Sequence, residues 1–261
     1  MLTVSRKDIN TYLVLFLCIL GVILLQFPRL QKIVHNNKSA SLESLEKEIK
    51  VEKLRLNFIN KMPSFGYKNL IADWVYLNYL QYFGDDEIRA KTGYSLSPEY
   101  FEVILKNDPR FIEAYIGLST STSMYAGMPE RSVGLMEKSL KSLSPMVPKK
   151  SYYVWRYKGI DELLFLGNSI AARQSFENAA NWAKNYSDEE SKQVISISQR
   201  SAEYLGQNPD SKHVRIAAWA MVLENQVDDK SRKRAIREIE ALGGKVISTP
   251  QGNKIRFPPS Y

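Results

Sequence analysis

The most apolar stretch of the chain runs from Tyr12 to Leu25 and contains no charged residue. Together with uncharged residues on either side, it approaches the ~20 residues that a helix needs to cross the hydrocarbon core of a bilayer. A cleaved signal peptide is the alternative, since Arg6 and Lys7 form a basic region before the stretch. No small-x-small cleavage triplet follows until residues 39–41. We therefore predict an uncleaved, single-pass membrane anchor within residues 1–40.

Basic residues flank both ends of this predicted transmembrane helix. Arg6 and Lys7 precede it, whereas Arg29, Lys32 and Lys38 follow it. Because basic residues collect on the cytoplasmic side of a span, the larger number after it favours a domain on the cytoplasmic side of the membrane.

Residues 41–66 show the spacing of an amphipathic helix. Their apolar positions recur every three, four or seven residues, at Leu42, Leu45, Ile49, Leu56 and Ile59. We expect a connecting helix that packs one face against the following domain. A short coiled coil or a helix lying on a membrane surface are alternatives.

The centre of the chain repeats itself with a period of forty residues. Five positions match, each forty residues apart: Tyr115 with Trp155, Gly127 with Gly167, Ser132 with Ala172, Met136 with Phe176, and Ser139 with Ala179. Self-similarity of this length is typical of stacked units that cannot bury their apolar faces alone. Each unit is predicted to contain two helices around a glycine-containing turn.

The second copy resembles the tetratricopeptide repeat family at Trp155, Gly159, Ala172, Phe176 and Ala179. The resemblance implies an all-α fold, a right-handed α-solenoid of antiparallel helix pairs. With the anchor, this gives one transmembrane helix followed by a helical-repeat domain over residues 67–244.

The resemblance also implies a partner-binding groove along the inner face of the solenoid. First-helix residues would line it: Val75, Tyr79, Tyr82, Ile116, Thr120, Tyr153, Arg156 and Ile160. Such an apolar and aromatic surface with a single arginine suits a helix or an extended peptide. The Lys and Asn set with which some family members clamp a terminal carboxylate is absent from these positions.

Two or three further helices are predicted between residue 189 and Gly243, where they would complete and cap the solenoid. Residues 245–261 change character and suggest a small hairpin or an extended tail. The last predicted helix carries the strongest basic segment of the chain, which we name the basic patch: Lys230, Arg232, Lys233, Arg234 and Arg237. A solvated helix face explains it, and docking to anionic lipid or an acidic protein is the functional alternative.

Signals for chemistry are sparse. The net charge is +8, which favours acidic partners or anionic lipid, but no RNA-binding or zinc motif accompanies it, and we expect no nucleic acid. The two histidines are far apart, and the one cysteine, Cys18, lies in the apolar stretch. The acidic pair Asp85–Asp86 suits a charged loop, and Asp161 and Glu162 suit an exposed helix face. We therefore predict no catalytic residue, no metal and no cofactor.

These patterns favour a membrane-anchored protein-binding scaffold over an enzyme. An adaptor or assembly factor for a membrane protein complex fits best, by analogy with membrane-bound repeat proteins that assist photosynthetic or respiratory complexes. Its partners would be a protein of such a complex and, through the anchor, membrane lipid. A stable structural subunit is the main alternative, and a membrane-bound hydrolase is a further one.

Overall fold

The computed structural model describes residues 15–24, 26–27, 41–225, 228–249 and 252–259. The chain forms two compact units, Met1–Leu45 and Glu46–Tyr261. In the first unit, residues 15–24 and 26–27 are helical, and their large apolar side chains are exposed. Within the described ranges, no helix combines the length and the hydropathy that crossing a membrane requires. Residues 12–14 and 25 of the predicted transmembrane helix lie outside those ranges.

From residue 41 onwards the fold is mostly helical. The helices, in chain order, are α1 (Leu42–Lys61), α2 (Lys68–Gly84), α3 (Asp86–Thr92), α4 (Ser97–Asn107), α5 (Glu113–Leu118), α6 (Pro129–Leu140), α7 (Tyr152–Leu164), α8 (Ser169–Ala183), α9 (Glu189–Gly206), α10 (Lys212–Glu224) and α11 (Asp229–Ala241). Helix α5 continues directly into a π-helical segment, Ser119–Tyr125, which we call the π segment. Two antiparallel strands, β1 (Lys245–Thr249) and β2 (Gly252–Arg256), form a hairpin in which Lys245 lies opposite Arg256.

The period of forty residues corresponds to two successive helix pairs. The second helix of one pair, α6, begins at Pro129, and the second helix of the next, α8, begins at Ser169. Gly127 and Gly167 hold equivalent turns, with φ angles of 59° and 65° that L side chains rarely adopt. The repeated sequence therefore specifies repeated local structure.

Small residues let the helices of a pair approach closely. A Cβ atom placed on Gly159 of α7 would lie 3.1 Å from the ring of Phe176 on α8. Phe176 is buried and packs with Ala172 of its own helix and with Ala202 and Leu205 of α9. The α8 helix thus contacts both α7 and α9, as expected for helices stacked side by side.

The largest core lies among α1, α2, α4, α5, α6 and α7. It contains aromatic rings, of which Tyr115 and Phe101 are fully buried. Leu56 and Ile59 of α1 belong to the same core, so this helix is part of the domain. Burial of such large side chains contributes about 2 kcal/mol each.

Of the three C-terminal helices that were expected to complete and cap the stack, α9 packs on α8, whereas α10 and α11 do not continue the stack. Helix α10 packs on the π segment and α7, and α11 packs on α10. The α10–α11 pair thereby lies against glycines in three earlier turns. Asp228 approaches Gly93, Trp219 approaches Gly127, and Arg215 approaches Gly167. This position of the two helices buries Trp219 completely, because its ring fills a second core formed with Phe165 and Ile239.

Candidate partner-binding cleft

Val75 and Tyr79, two of the predicted groove residues, lie in the core. Their exposed fractions are 1% and 3%. The ring of Tyr79 packs edge-on against Phe101 of α4, with 4.5 Å between ring centroids. Because α2 turns this face towards α4, the prediction that these two side chains line an open groove is wrong.

Tyr82 holds a neighbouring part of the chain in place. Its hydroxyl oxygen accepts the backbone N–H of Leu96 at 3.1 Å, and the hydroxyl donates to the carbonyl of Gly93 at 3.4 Å. The guanidinium of Arg89 lies 4.0 Å from the ring centroid, a cation–π contact. Burial raises the pKa of Tyr82. Tyr82 therefore secures the segment between α2 and α4.

Arg156 and Ile160 face the next helix of the stack. A guanidinium nitrogen of Arg156 donates to the Ser198 hydroxyl of α9 at 3.4 Å, and Ile160 packs on the cluster around Phe176. Thr120 lies half-buried in the π segment. Arg156 and Ile160 therefore contribute to packing between elements.

The remaining two predicted groove residues, Ile116 of α5 and Tyr153 of α7, share one cleft. It has a volume of about 500 Å³, a size typical of small ligand-binding sites. The residues that line it come from α5, from α7 and from the chain segments that precede each helix: Arg110, Ile112, Glu113, Ile116, Pro148, Lys149, Lys150, Tyr153 and Tyr157.

The floor of this cleft is apolar and aromatic. Ile116 is 53% exposed although it belongs to a helix whose other apolar residues are buried. The rings of Tyr153 and Tyr157 are stacked, with centroids 5.8 Å apart and an interplanar angle of 17°. Stacking holds both rings in one orientation, so the surface is formed before a partner arrives.

The rim of the cleft is mainly basic. The side chains of Arg110 and Lys149 are exposed and form no ion pair with the described residues. Lys150 pairs with Glu190, whose second oxygen accepts a hydrogen bond from the Tyr153 hydroxyl at 2.7 Å. These bonds from Lys150 and Tyr153 lower the pKa of Glu190, and burial together with the adjacent carboxylate raises that of Tyr153. Arg110 and Lys149 are thus available for an acidic group.

The sequence did not indicate Tyr157, Pro148 or Lys149. Tyr157 follows Tyr153 by one helical turn, and this spacing is a signal that could have identified it. Pro148 and Lys149 lie in the connection before α7, and their position depends on the path of that loop. Repeat periodicity carries no information about such a path.

The basic patch is partly used inside the fold. Arg234 pairs with Glu130 of α6, where one guanidinium nitrogen lies 3.0 Å from a carboxylate oxygen, and it also lies 5.4 Å from the Trp219 ring centroid. The other basic side chains, Lys230, Arg232, Lys233 and Arg237, are exposed on α11. Arg234 therefore fixes α11 to α6 and is not available to a partner.

Asp161 and Glu162 of α7 are buried, which contradicts the expected exposed face. Serine hydroxyls donate to the Asp161 carboxylate from the π segment and from α6, each at 2.7 Å: Ser119, Ser123 and Ser132. Glu162 pairs with the buried Lys158 and accepts a hydrogen bond from Ser175 of α8 at 2.6 Å. Buried carboxylates need such partners, and both groups join helices.

The acidic pair Asp85–Asp86 lies at the start of α3. Asp85 caps α3, because its side chain accepts the backbone N–H of Ile88 at 3.3 Å. Within the described ranges, no three His, Cys, Asp or Glu side chains converge as they would to hold a metal ion.

Comparisons with known proteins add no relative: no protein-family model, curated protein or solved structure matches this chain.

Proposed function

We propose that the protein is a membrane-anchored scaffold that binds a segment of another protein in the cleft between α5 and α7. The observation that carries this proposal is the exposed Ile116 beside the stacked rings of Tyr153 and Tyr157. A large apolar side chain of the partner would enter between them, since aromatic side chains supply much contact area with few rotatable bonds.

The rim specifies the charge of this partner segment. Arg110 and Lys149 both line the cleft, so an acidic residue next to the apolar anchor would find a cation within reach. Long-range attraction of this kind raises association rates and selects among partners. A helix or an extended peptide with an apolar residue followed by an acidic one is the ligand we propose.

The anchor and the repeat family belong to the same proposal. Residues 15–24 form a helix whose apolar side chains face outward, which suits a lipid surrounding. Two helix pairs offset by forty residues, with equivalent glycine turns, suit a tetratricopeptide-like solenoid. Tethering would raise the effective concentration of the cleft beside membrane clients, which favours an adaptor or assembly factor. The larger number of basic residues after the apolar stretch favours a domain on the cytoplasmic side.

A photo-crosslinking experiment tests the cleft. The full chain, purified from its native membrane in mild detergent, would carry a photoreactive amino acid at Ile116 or, as the control, at Ile170 of α8. Ile170 is 85% exposed and lies outside the cleft. We expect one discrete adduct with a membrane-complex protein from position 116 and none from position 170.

The same purification distinguishes the alternatives. Adducts of equal yield from both positions, or none from position 116, would refute the cleft as the binding site. A partner recovered in constant one-to-one ratio would indicate a structural subunit, whereas a substoichiometric partner fits an assembly factor.

A further inference from the structure

Helix α1 and the residue that follows it, Met62, expose an apolar stripe. Val51, Leu54, Phe58 and Met62 follow one another by three or four residues and are 41% to 68% exposed. The buried residue Leu56 lies on the opposite face of the helix. Both faces of α1 are therefore apolar, and only one of them is used in the core.

Helix α2 repeats this arrangement beside α1. Its residues Leu70, Trp74 and Leu77 fall on one face and are 47% to 65% exposed. Arg55 of α1 joins the two stripes, because its guanidinium lies 5.2 Å from the ring centroid of Trp74 and donates to the Asn78 side chain at 3.2 Å. Arg55 therefore connects the two stripes. We name them together the hairpin face, because α1 and α2 form a helical hairpin around residues 62–67.

The tip of the hairpin presents two aromatic side chains to solvent. Phe65 is 79% exposed and Tyr67 is 67% exposed. Phe65 has a φ angle of 48°, a left-handed conformation that is unfavourable for a bulky residue. The fold holds an aromatic ring outward in a strained turn, where folding alone would favour a small residue.

Basic residues surround this tip. Lys61 and Lys68, on either side of it, are exposed and form no ion pair with the part of the chain that the structure describes. Residues 50–81 carry five basic and two acidic side chains. Glu52 is paired with Arg55 at 2.7 Å, and Lys53 is paired with Glu99 at 3.4 Å. Within this range, Asp73 is then the one acid that opposes Lys50, Lys61 and Lys68.

We propose that the hairpin face and its tip dock on the surface of a bilayer that contains anionic phospholipids. Apolar side chains would enter the boundary between headgroups and acyl chains, Trp74 and Tyr67 would lie at the headgroup level that these residues prefer, and Lys61 and Lys68 would contact lipid phosphates. Many large apolar side chains exposed on one face of a domain mark an interaction site. We favour lipid over an apolar protein surface as the partner, because lipid phosphates would pair with the lysines and an apolar surface would leave them unpaired.

The segment that connects the apolar N-terminal stretch to α1 is short enough to keep α1 near a bilayer. The described part of the apolar N-terminal stretch ends at residue 27, and α1 begins at Leu42. The residues between them span at most ~50 Å when fully extended. This distance limit matters only if the proposed membrane anchor exists, whereas the hairpin face, its tip and its charge do not depend on the anchor. An anchored chain would keep the hairpin close to the bilayer.

Site-specific fluorescence in vesicles tests the proposal. The full chain with Cys18→Ser would carry a single cysteine at Phe65 or Leu70, labelled with the environment-sensitive dye NBD, in vesicles of phosphatidylcholine with or without phosphatidylglycerol. The control cysteine replaces Ile170, an apolar residue on α8 that is more exposed than either test position. NBD on the native Cys18, in the otherwise unchanged chain, reports insertion of the anchor separately.

We expect quenching by doxyl-labelled lipid at positions 65 and 70, with a loss of more than about half the emission, because an interfacial helix sits at acyl-chain depth. Position 170 should be unaffected, and Lys61→Glu with Lys68→Glu should reduce quenching at position 65. Equal emission at positions 65 and 170 would overturn the proposal. So would a blue shift at position 65 without quenching, because a protein would then cover the face. Quenching of Cys18 alone would retain the anchor and reject the docking.

Discussion

Asp161 joins three elements of the domain through a single carboxyl group. Its oxygens accept hydrogen bonds from the π segment and from α6. The side chain is fully buried, and this burial raises its pKa to about 6 from an ordinary value of 3.8. The serine hydrogen bonds oppose the effect but do not cancel it. The folded state therefore binds a proton at Asp161 more tightly than the unfolded state does.

This difference predicts a pH dependence of stability. Asp161 is protonated in both states below pH 3.8, and as pH rises towards 6 it ionises first in the unfolded state, which lowers the free energy of unfolding. Relative to Asp161→Asn, which does not titrate, the unchanged protein should lose about 3 kcal/mol of unfolding free energy across this window and no more above it. Urea unfolding of residues 41–261 at several pH values measures the difference. A difference that stays constant, or that grows in favour of the unchanged protein, would show that Asp161 is not buried as a carboxyl group.

The buried pair of Lys158 and Glu162 predicts a second effect at this scale. Their side chains are 8% and 4% exposed, and Lys158→Met leaves Glu162 as a buried charge without its cation. We expect a loss of about 3–5 kcal/mol in unfolding free energy, of which the double variant with Glu162→Leu recovers most. The same urea experiment measures both variants. Additive losses in the double variant would contradict a direct interaction.

The helix pairs of residues 113–183 are the part of the fold that the sequence predicts best. Positions forty residues apart are equivalent in structure: Met136 and Phe176 are both buried, and Gly127 and Gly167 both take positive φ angles. Helical periodicity identifies such positions because each unit must bury one face against its neighbours.

Phe176 provides the test of this packing. Its ring lies between α7 and α9 and contacts the site where Gly159 has no side chain. Phe176→Ala should destabilise the fragment of residues 41–261 by about 3 kcal/mol, since truncation leaves a cavity that the helices fill poorly. Ile170→Ala on the exposed side of the same helix is the control and should cost under about 0.5 kcal/mol. Similar values for the two variants would mean that Phe176 is not a core residue.

Helix α1 shows the limit of amphipathic patterns. Its buried positions Leu56 and Ile59 agree with the predicted connecting helix that packs on the domain. The second stripe, at Leu54 and Phe58, was not recognised, because a helix with two apolar faces has a weak periodic signal. A fragment that begins after α1 would therefore expose the part of the core that Leu56 and Ile59 cover.

At the scale of the whole molecule, helix content follows from local pattern, whereas the contacts between distant elements do not. The return of α10 and α11 to the turn glycines depends on Trp219, whose partners are separated from it along the chain. The wrong prediction for Val75 and Tyr79 has the same cause. Analogy with a repeat family places them on an inner face, but α4 covers them. Only Ile116 and Tyr153 remain at an open site, and the loop that supplies Lys149 completes it.

The central claim is that a partner binds in the cleft between α5 and α7. Once photo-crosslinking identifies the partner segment, its affinity for the full chain in detergent can be measured by fluorescence anisotropy. The comparison is between Tyr153→Ala with Tyr157→Ala, in the cleft, and Lys233→Glu with Arg237→Glu, in the basic patch. Lys233 and Arg237 are exposed on α11 and lie outside the cleft.

We predict that the tyrosine pair lowers affinity by about thirtyfold or more, equivalent to ~2 kcal/mol, with unchanged helicity. The charge reversal should alter mainly the salt dependence of binding. Loss of binding on charge reversal, together with full affinity in the tyrosine variant, would contradict the account and place the partner on α11.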